Sequence, residues 1–143
     1  MISKLLIAWC LVALTVTIHA AGLSGMLQNR PVRQSDTRFW PETWLLVSVA
    51  WWLILLHLAE IAVWALFYWW QKCLPNAEAS FYFSGVTYTT VGYGDLVLPQ
   101  EWRLLGAVEG LTGILMCGLS TGFFFAVVSR SLAAKSGADR TDT

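Results

Sequence analysis

The sequence predicts an all-α membrane protein, with three membrane-spanning helices and a short re-entrant helix between the second and third. Three observations predict it. Of 143 residues, 57% are hydrophobic and only 13% charged, against roughly 45–50% and about 25% in a soluble domain. Three nearly charge-free runs cover more than half the chain, each meeting the roughly 20 residues that cross a hydrocarbon core. Between the last two lies a stretch too short to span and ending in glycines. None of the runs can be a lone strand, because each unpaired backbone group in lipid costs several kcal/mol.

Nine basic residues balance nine acidic ones. This speaks against a nucleic-acid partner, which would meet a basic face, and against an acidic disordered tail. A soluble chain of this size would have more surface than so few charges could cover, so lipid is the expected solvent. Cys10, Cys73 and Cys117 are odd in number and form no CxxC pair, so neither a disulfide framework nor a zinc site is indicated. Cys73 is read as a buried or interfacial thiol, with a bridge between subunits as the alternative. No cofactor is implied.

The first run, residues 5–29, contains no Asp, Glu, Lys or Arg, and a helix is expected over residues 1–27. Lys4, the apolar stretch and the small-residue end at Ala20 and Ala21 also fit a secretory signal peptide. A polar linker, 28–43, follows. The second helix is expected over residues 44–70, interrupted only by His57 and Glu60. At i and i+3 these two share one face, and Glu60 lies about 15 Å from the Trp70 end. Either charge alone is expensive in lipid, so both should face protein. The first helix offers Thr15, Thr17 and His19 as partners. Two readings follow: a lock between helices, or a pH-sensitive switch.

Residues 72–77 form a polar connection with a Pro-Asn turn signal. Residues 79–89 are aromatic and β-branched, which by propensity alone reads as a strand. Their length and the early Glu78 and Ser80 instead favour a re-entrant helix over 78–89. Next comes Thr90-Val91-Gly92-Tyr93-Gly94-Asp95. Two glycines flank a tyrosine and admit dihedrals that a Cβ resists. Irregular backbone at membrane depth is tolerated only where it is buried in protein or lines a wet cavity. The third helix, 103–129, carries Glu109 as its one interruption, and a carboxylate there is a functional candidate. A short tail, 131–143, closes the chain.

With Thr89 in front, this loop matches the signature of the tetrameric potassium channels, and residues 44–130, about 60% of the chain, resemble the small prokaryotic-type pore domain of that family. The resemblance implies an outer helix (44–70), a pore helix (78–89), a selectivity filter (90–95) and an inner helix (103–129), preceded here by one additional helix. It also implies a homotetramer in closed symmetry, because one loop cannot enclose an ion and each chain needs three further copies of itself. Potassium sheds its water when about eight oxygens replace it. By the family's pattern, carbonyls of Thr90, Val91, Gly92 and Tyr93 supply them, and the Thr90 hydroxyls complete the innermost site. Gly92 and Gly94 permit the alternating backbone, while Val91 and Tyr93 side chains pack the loop against its pore helix. Thr89, Asp95, Tyr82 and Phe83 support the filter. Potassium is the transported, filter-bound ion, and the implied activity is transport rather than catalysis.

The chain departs from the pattern at several points. Tyr82 and Phe83 stand where the best-studied members place two tryptophans. Tyr82 keeps a hydroxyl for Asp95, but Phe83 offers the Tyr93 hydroxyl nothing, which predicts a less rigid filter cuff. Val86 replaces a glutamate found behind the filter in some members, and Glu109 is expected to turn toward the pore helix. Structural support and a gating protonation are its two readings. Gly113 falls at the family's hinge; Ile114, Cys117 and Thr121 fall on the cavity, and Phe125 near its inner mouth. Phe123, Phe124 and Phe125 are candidates for a hydrophobic gate or for packing. Gly106 with Gly110, and Gly118 with Gly122, repeat a spacing that lets helices approach closely.

The family's filter is loaded from outside, so both ends of the pore domain are expected in the cytoplasm. Arg30, Arg33, Arg38, Arg130, Lys135 and Arg140 then lie inside and Lys4, Lys72 and Arg103 outside, in agreement with the positive-inside rule. Cleavage after Ala20 would invert the pore, so the first helix is expected to be retained, with an external N-terminus in a cell inner (plasma) membrane. Trp40 and Trp44, and Trp69, Trp70 and Trp102, fit aromatic belts. Trp51, Trp52 and Trp64 face lipid or pack. No span carries an arginine repeat, so no voltage sensor is expected, and the 14 residues after Ser129 are too few for a soluble ligand domain. A weakly selective cation channel and a non-conducting regulatory subunit are the alternatives to a potassium channel.

Overall fold

No charge or proline interrupts residues 5–28, and in the computed structural model, which describes residues 2–28 and 39–139, α1 occupies Ile2–Gln28. α2 (Phe39–Trp70), α3 (Ala77–Tyr88) and α4 (Arg103–Asp139) complete an all-helical fold, with no strand among the described residues. Three segments are long and apolar enough to cross a membrane: Ile2–Gln28, Thr43–Trp70 and Arg103–Ser131. Arg30, Arg33, Arg38 and Arg140 lie outside the described residues, as do the side chains of Trp40 and Lys135.

Two helices run further than expected. α2 begins at Phe39, inside the stretch read as linker. Pro41 falls in its first turn, where a missing N–H costs nothing. α4 continues to Asp139 rather than giving way to a tail at 131. Leu132, Ala133, Ala134 and Lys135 are strong helix formers, and no glycine or proline interrupts residues 123–136. The strand propensity of 79–89 is overridden as its length required, and the short helix is well terminated. Asn76 caps α3 through its side-chain oxygen, which accepts from the Ala79 N–H at 2.8 Å, and Glu78 sits in the first turn, where the dipole favours it. α2 ends in a Schellman motif. Cys73 N–H reaches the Tyr68 carbonyl at 2.9 Å and Lys72 N–H the Trp69 carbonyl at 3.0 Å, with Lys72 at φ 54°.

α1 packs on α2 and α4, and α3 is held between α2 and α4; the backbones of α1 and α3 do not approach closely among the described residues. The buried face of α1 is one stripe, Ala8, Leu11, Thr15, His19 and Met26, at the 3–4 residue spacing of a helix face. Its other side is apolar as well, as a lipid-facing helix requires. Lys4 Nζ donates to the Glu101 carbonyl at 3.0 Å and lies over the Trp102 ring, so α1 starts at the end of the molecule where α2 stops and α4 begins. Near that end Trp64, Tyr68, Leu74, Leu98 and Leu105 join Ala8 and Leu11 in one apolar cluster. Toward the other end Met26, Val49 and Leu53 form a second cluster, flanked by Phe123 and Phe124. Between them, by position along each helix, lies a buried polar layer.

Candidate functional site: the glycine loop and the polar layer beneath it

The loop after α3 folds back on the helix end. Thr90 N–H donates to the Thr87 carbonyl at 3.0 Å, and the N–H groups of Val91 and Gly92 both donate to the Val86 carbonyl, at 3.0 and 3.2 Å. In a trans peptide the carbonyl points opposite to the next residue's N–H, and no peptide bond among the described residues is cis. The carbonyls of Thr89, Thr90 and Val91 therefore turn away from α3, into open space. The backbone achieves this by alternation: φ is 62° at Thr90, 57° at Gly92 and 77° at Gly94, but not positive at Val91 or Tyr93. Glycine takes that region freely; threonine does so at about 1–2 kcal/mol. Strain at one β-branched residue within such a loop marks a functional segment.

The expected supports are present in part. Tyr82 donates its hydroxyl to Asp95 Oδ2 at 2.8 Å, and this bond holds the phenol above its ordinary pKa. Thr89 Oγ1 donates back to the Gly85 carbonyl at 2.6 Å, fastening the end of α3. Phe83 instead turns inward, edge-on to Tyr68 with centroids 5.4 Å apart. Val91 and Tyr93 remain 52% and 71% exposed, so within one chain they do not pack the loop against its own helix. Gly92, Gly94, Asp95 and Leu96, with Tyr82, Phe83, Val86 and Thr87, line a cavity of about 120 Å³ that neither side chain enters. Consecutive peptides turn their carbonyls off α3 while φ alternates in sign, and the Val91 and Tyr93 side chains stay exposed.

α3 buries Ser80, Ser84 and Tyr88, an i, i+4, i+8 stripe of hydroxyls. Each finds a polar partner. Ser80 donates to the Asn76 carbonyl at 3.0 Å. Ser84 Oγ stands 3.0 Å from the Ile61 carbonyl and in hydrogen-bond contact with Glu109 Oε1, its one proton shared between the two acceptors. The other Glu109 oxygen accepts from the Tyr68 hydroxyl at 2.8 Å. Glu109 thus faces Ser84 on α3 and Tyr68 on α2. Tyr88 donates to Glu60 Oε2. Glu60 also takes His19 Nδ1 from α1 at 2.7 Å, and His57 Nδ1 lies 3.3 Å from it. Of the three α1 residues expected as partners, His19 makes this contact. Thr15 accepts the Trp64 indole N–H at 3.1 Å, and Thr17 donates within its own helix, to the Ala13 carbonyl.

The profile described as "Ion channel" matches residues 52–130, more than half of the chain, from α2 through the loop to α4. The chain belongs to the ion channel family. No curated protein and no solved structure matched it.

In this channel α4 divides its residues by face. Leu105, Glu109, Thr112, Met116 and Ser120 are buried, while Ile114 and Phe125 stand 58% and 70% exposed and Cys117 and Thr121 share their open side. Phe123 and Phe124 pack inward beside Met26 and Val49, so of the three phenylalanines only Phe125 is on the open face. Gly113 is buried, and a Cβ there would come within 2.0 Å of the Tyr88 carbonyl; the position is required for close approach. Trp64, read as lipid-facing or packing, is fully buried, whereas Trp51 is exposed and Trp52 reaches the Gly22 carbonyl at 3.1 Å. Sequence reasoning missed Tyr68, Ser84, Tyr88 and Ser120 as members of the polar layer. The signal was available: two carboxylates in apolar helices need donors, and hydroxyls at i, i+4, i+8 on α3 offered them.

Proposed function

We propose that this channel conducts potassium selectively, as a homotetramer whose fourfold pore is formed by Thr90-Val91-Gly92-Tyr93-Gly94. The observation that carries the reading is the carbonyl direction: Thr90 and Val91 oxygens turn off α3 while the N–H groups of the residues that follow them, Val91 and Gly92, are tied down to the Val86 carbonyl. Four such loops around one axis would replace a dehydrated ion's water with stacked carbonyl rings, and adjacent sites would pass ions by mutual repulsion. The Thr90 hydroxyls would close the innermost ring, with Gly92 and Tyr93 carbonyls above it. The exposed side chains of Val91 and Tyr93 and the open face of α4 would then meet neighbouring copies or the central cavity, with Ile114, Cys117 and Thr121 on the cavity and Phe125 at its inner mouth. With the loop facing outward, α1 starts outside and α4 ends in the cytoplasm of a cell inner (plasma) membrane.

The test is reversal potential with the purified chain in liposomes under a potassium gradient. A reversal near the potassium equilibrium potential supports the proposal, and a shift toward sodium supports a weakly selective cation channel. Silence from a folded oligomer supports a non-conducting regulatory subunit. The weakly selective reading has one observation in its favour: the cavity behind the loop beside Phe83.

A further inference from the structure

Beyond the pore, the polar layer contains a constellation that ion conduction does not use. One ligand atom from each of His19, His57 and Glu60 lies within 4.8 Å of the others. His19 Nδ1 is 2.7 Å and His57 Nδ1 3.3 Å from the Glu60 carboxylate. The Tyr88 hydroxyl converges on the same point, bonded to Glu60 Oε2 and 3.1 Å from His57 Nδ1. Four donor atoms from α1, α2 and α3 therefore surround one locus. Glu60 and His19 are buried; His57, 19% exposed, is the side open to approach.

We propose that His19, His57 and Glu60 form a binding site for a divalent transition-metal ion of the zinc class, which fastens α1 to the pore domain. Two imidazoles and one carboxylate are a donor set that suits borderline metals such as Zn²⁺, Co²⁺ and Fe²⁺ rather than Mg²⁺ or Ca²⁺. At metal–ligand distances near 2.0–2.1 Å, tetrahedral donors stand about 3.3 Å apart. The His57 contact already has that spacing. The His19 contact, made to the other carboxylate oxygen, must widen by about 0.6 Å, and both imidazoles must turn onto one ion, side-chain rotations within the 4.8 Å that already encloses the three ligand atoms. Three protein donors leave a fourth position, at which the Tyr88 hydroxyl or a water would stand. The outer shell is also in place, since the second nitrogen of His19 faces Ser120 Oγ on α4 at 3.5 Å, the arrangement that orients a ligating imidazole. Burial explains specificity too: a site this dry favours an ion whose ligands replace its whole hydration shell over one that keeps its waters.

The experiment uses the full chain in detergent, stripped with EDTA and desalted, then titrated with Zn²⁺ and, in parallel, Co²⁺. The expected result is about one ion per chain, with Co²⁺ giving visible ligand-field bands of a nitrogen–oxygen site and no intense thiolate charge transfer. H19N and H57N should each weaken binding by at least about tenfold, and S120A by about tenfold, while the C10S/C73S/C117S variant binds as wild type. Circular dichroism and size exclusion are read on every variant, and asparagine keeps a polar group in the layer. Absence of binding in folded wild type overturns the proposal. So does binding unchanged in a folded H19N/H57N double variant, or a Co²⁺ spectrum dominated by thiolate that disappears in the cysteine-free chain. None of these readouts depends on conduction.

Discussion

Replacing Gly113 by alanine separates two roles for that residue. The resemblance to potassium channels implies a hinge, whereas the structure makes it a contact. A Cβ at 113 would stand 2.0 Å from the Tyr88 carbonyl oxygen and 2.8 Å from its carbon. Relief to an ordinary contact requires a displacement of about 1.4 Å, and packed helices do not yield that far without loss. The neighbour is backbone rather than a flexible side chain. It closes α3, and the Tyr88 side chain is itself anchored to Glu60. Overpacking of this kind costs roughly 1–3 kcal/mol, and a backbone clash belongs at the top of that range. Alanine returns about 1 kcal/mol of helix propensity, so G113A should lose about 2 kcal/mol net, or about 30-fold in the folded-to-unfolded ratio. Gly25→Ala is the control: nothing lies within 4 Å of its Cβ position, and it should be neutral or slightly stabilising. Equilibrium unfolding of the detergent-solubilised channel, followed by circular dichroism, reads both. A pure hinge predicts altered open probability with unchanged stability. If G113A is as stable as wild type, the contact argument is wrong.

Other consequences of the same geometry are open to measurement. Tyr68→Phe removes one of the two side-chain donors to Glu109 and should cost about 1.5–3 kcal/mol, as for a hydrogen bond to a charged or buried acid; unfolding midpoints would show it, and an unchanged midpoint would mean Ser84 alone suffices. Thr15→Val strands the Trp64 indole N–H at about 1–3 kcal/mol, and Thr15→Ser should recover most of the loss in the same assay. Tyr82→Phe should leave stability unchanged, because the tether to Asp95 is solvent-exposed, yet alter the conductance of reconstituted channels. The tether raises the Tyr82 pKa, so its contribution is present throughout below the phenol's ordinary value near 10 and fades only as pH rises through the elevated one. The difference in conductance between wild type and Y82F should therefore hold constant up to pH 10 and change only above it, and a change centred below pH 10 would remove Asp95 from the account.

What the sequence made legible was whatever depends on local pattern. Charge-free runs located the spans, length overruled strand propensity at 79–89, and the cost of a carboxylate in lipid demanded partners for Glu60 and Glu109. That demand reached the first helix, with Thr15, Thr17 and His19 as its candidates, and the structure puts His19 on Glu60 across 41 residues. It did not reach Tyr88, Ser84 or Tyr68. Hydropathy registers a tyrosine or serine as nearly neutral, and their value lies in meeting a carboxylate on another helix. Gly113 is a similar case. A small residue at a family position reads as flexibility, and only the Tyr88 carbonyl beside it reveals steric need. The limits of α2 and α4 escaped for a different reason: polarity was taken as the end of a helix, although Ala133, Ala134 and Lys135 continue one readily.

The polar layer also explains how α1 can attach to the other helices of this channel at all. In lipid, one apolar helix gains little hydrophobic energy by leaving tails for another helix, so association rests on packing and interhelical hydrogen bonds. α1 uses both. Gly22 lets the Leu56 side chain close in, with a Cβ position only 2.6 Å from it. Trp52 reaches the Gly22 carbonyl, Trp64 reaches Thr15, and Glu60 reaches His19. These three contacts all join α1 to α2, and they step along α1 at intervals of three to four residues from 15 to 22, so they fix register as well as attachment. Sliding α1 by one turn would take His19 from Glu60 and leave the Trp64 indole N–H without Thr15, which makes the wrong dockings costly. α1 therefore sits on the face shared by α2 and α4, and Ile114, Cys117, Thr121 and Phe125 stay uncovered on the opposite side of α4. The peripheral helix is placed where it leaves the open face available to neighbouring copies, as the proposed fourfold pore demands.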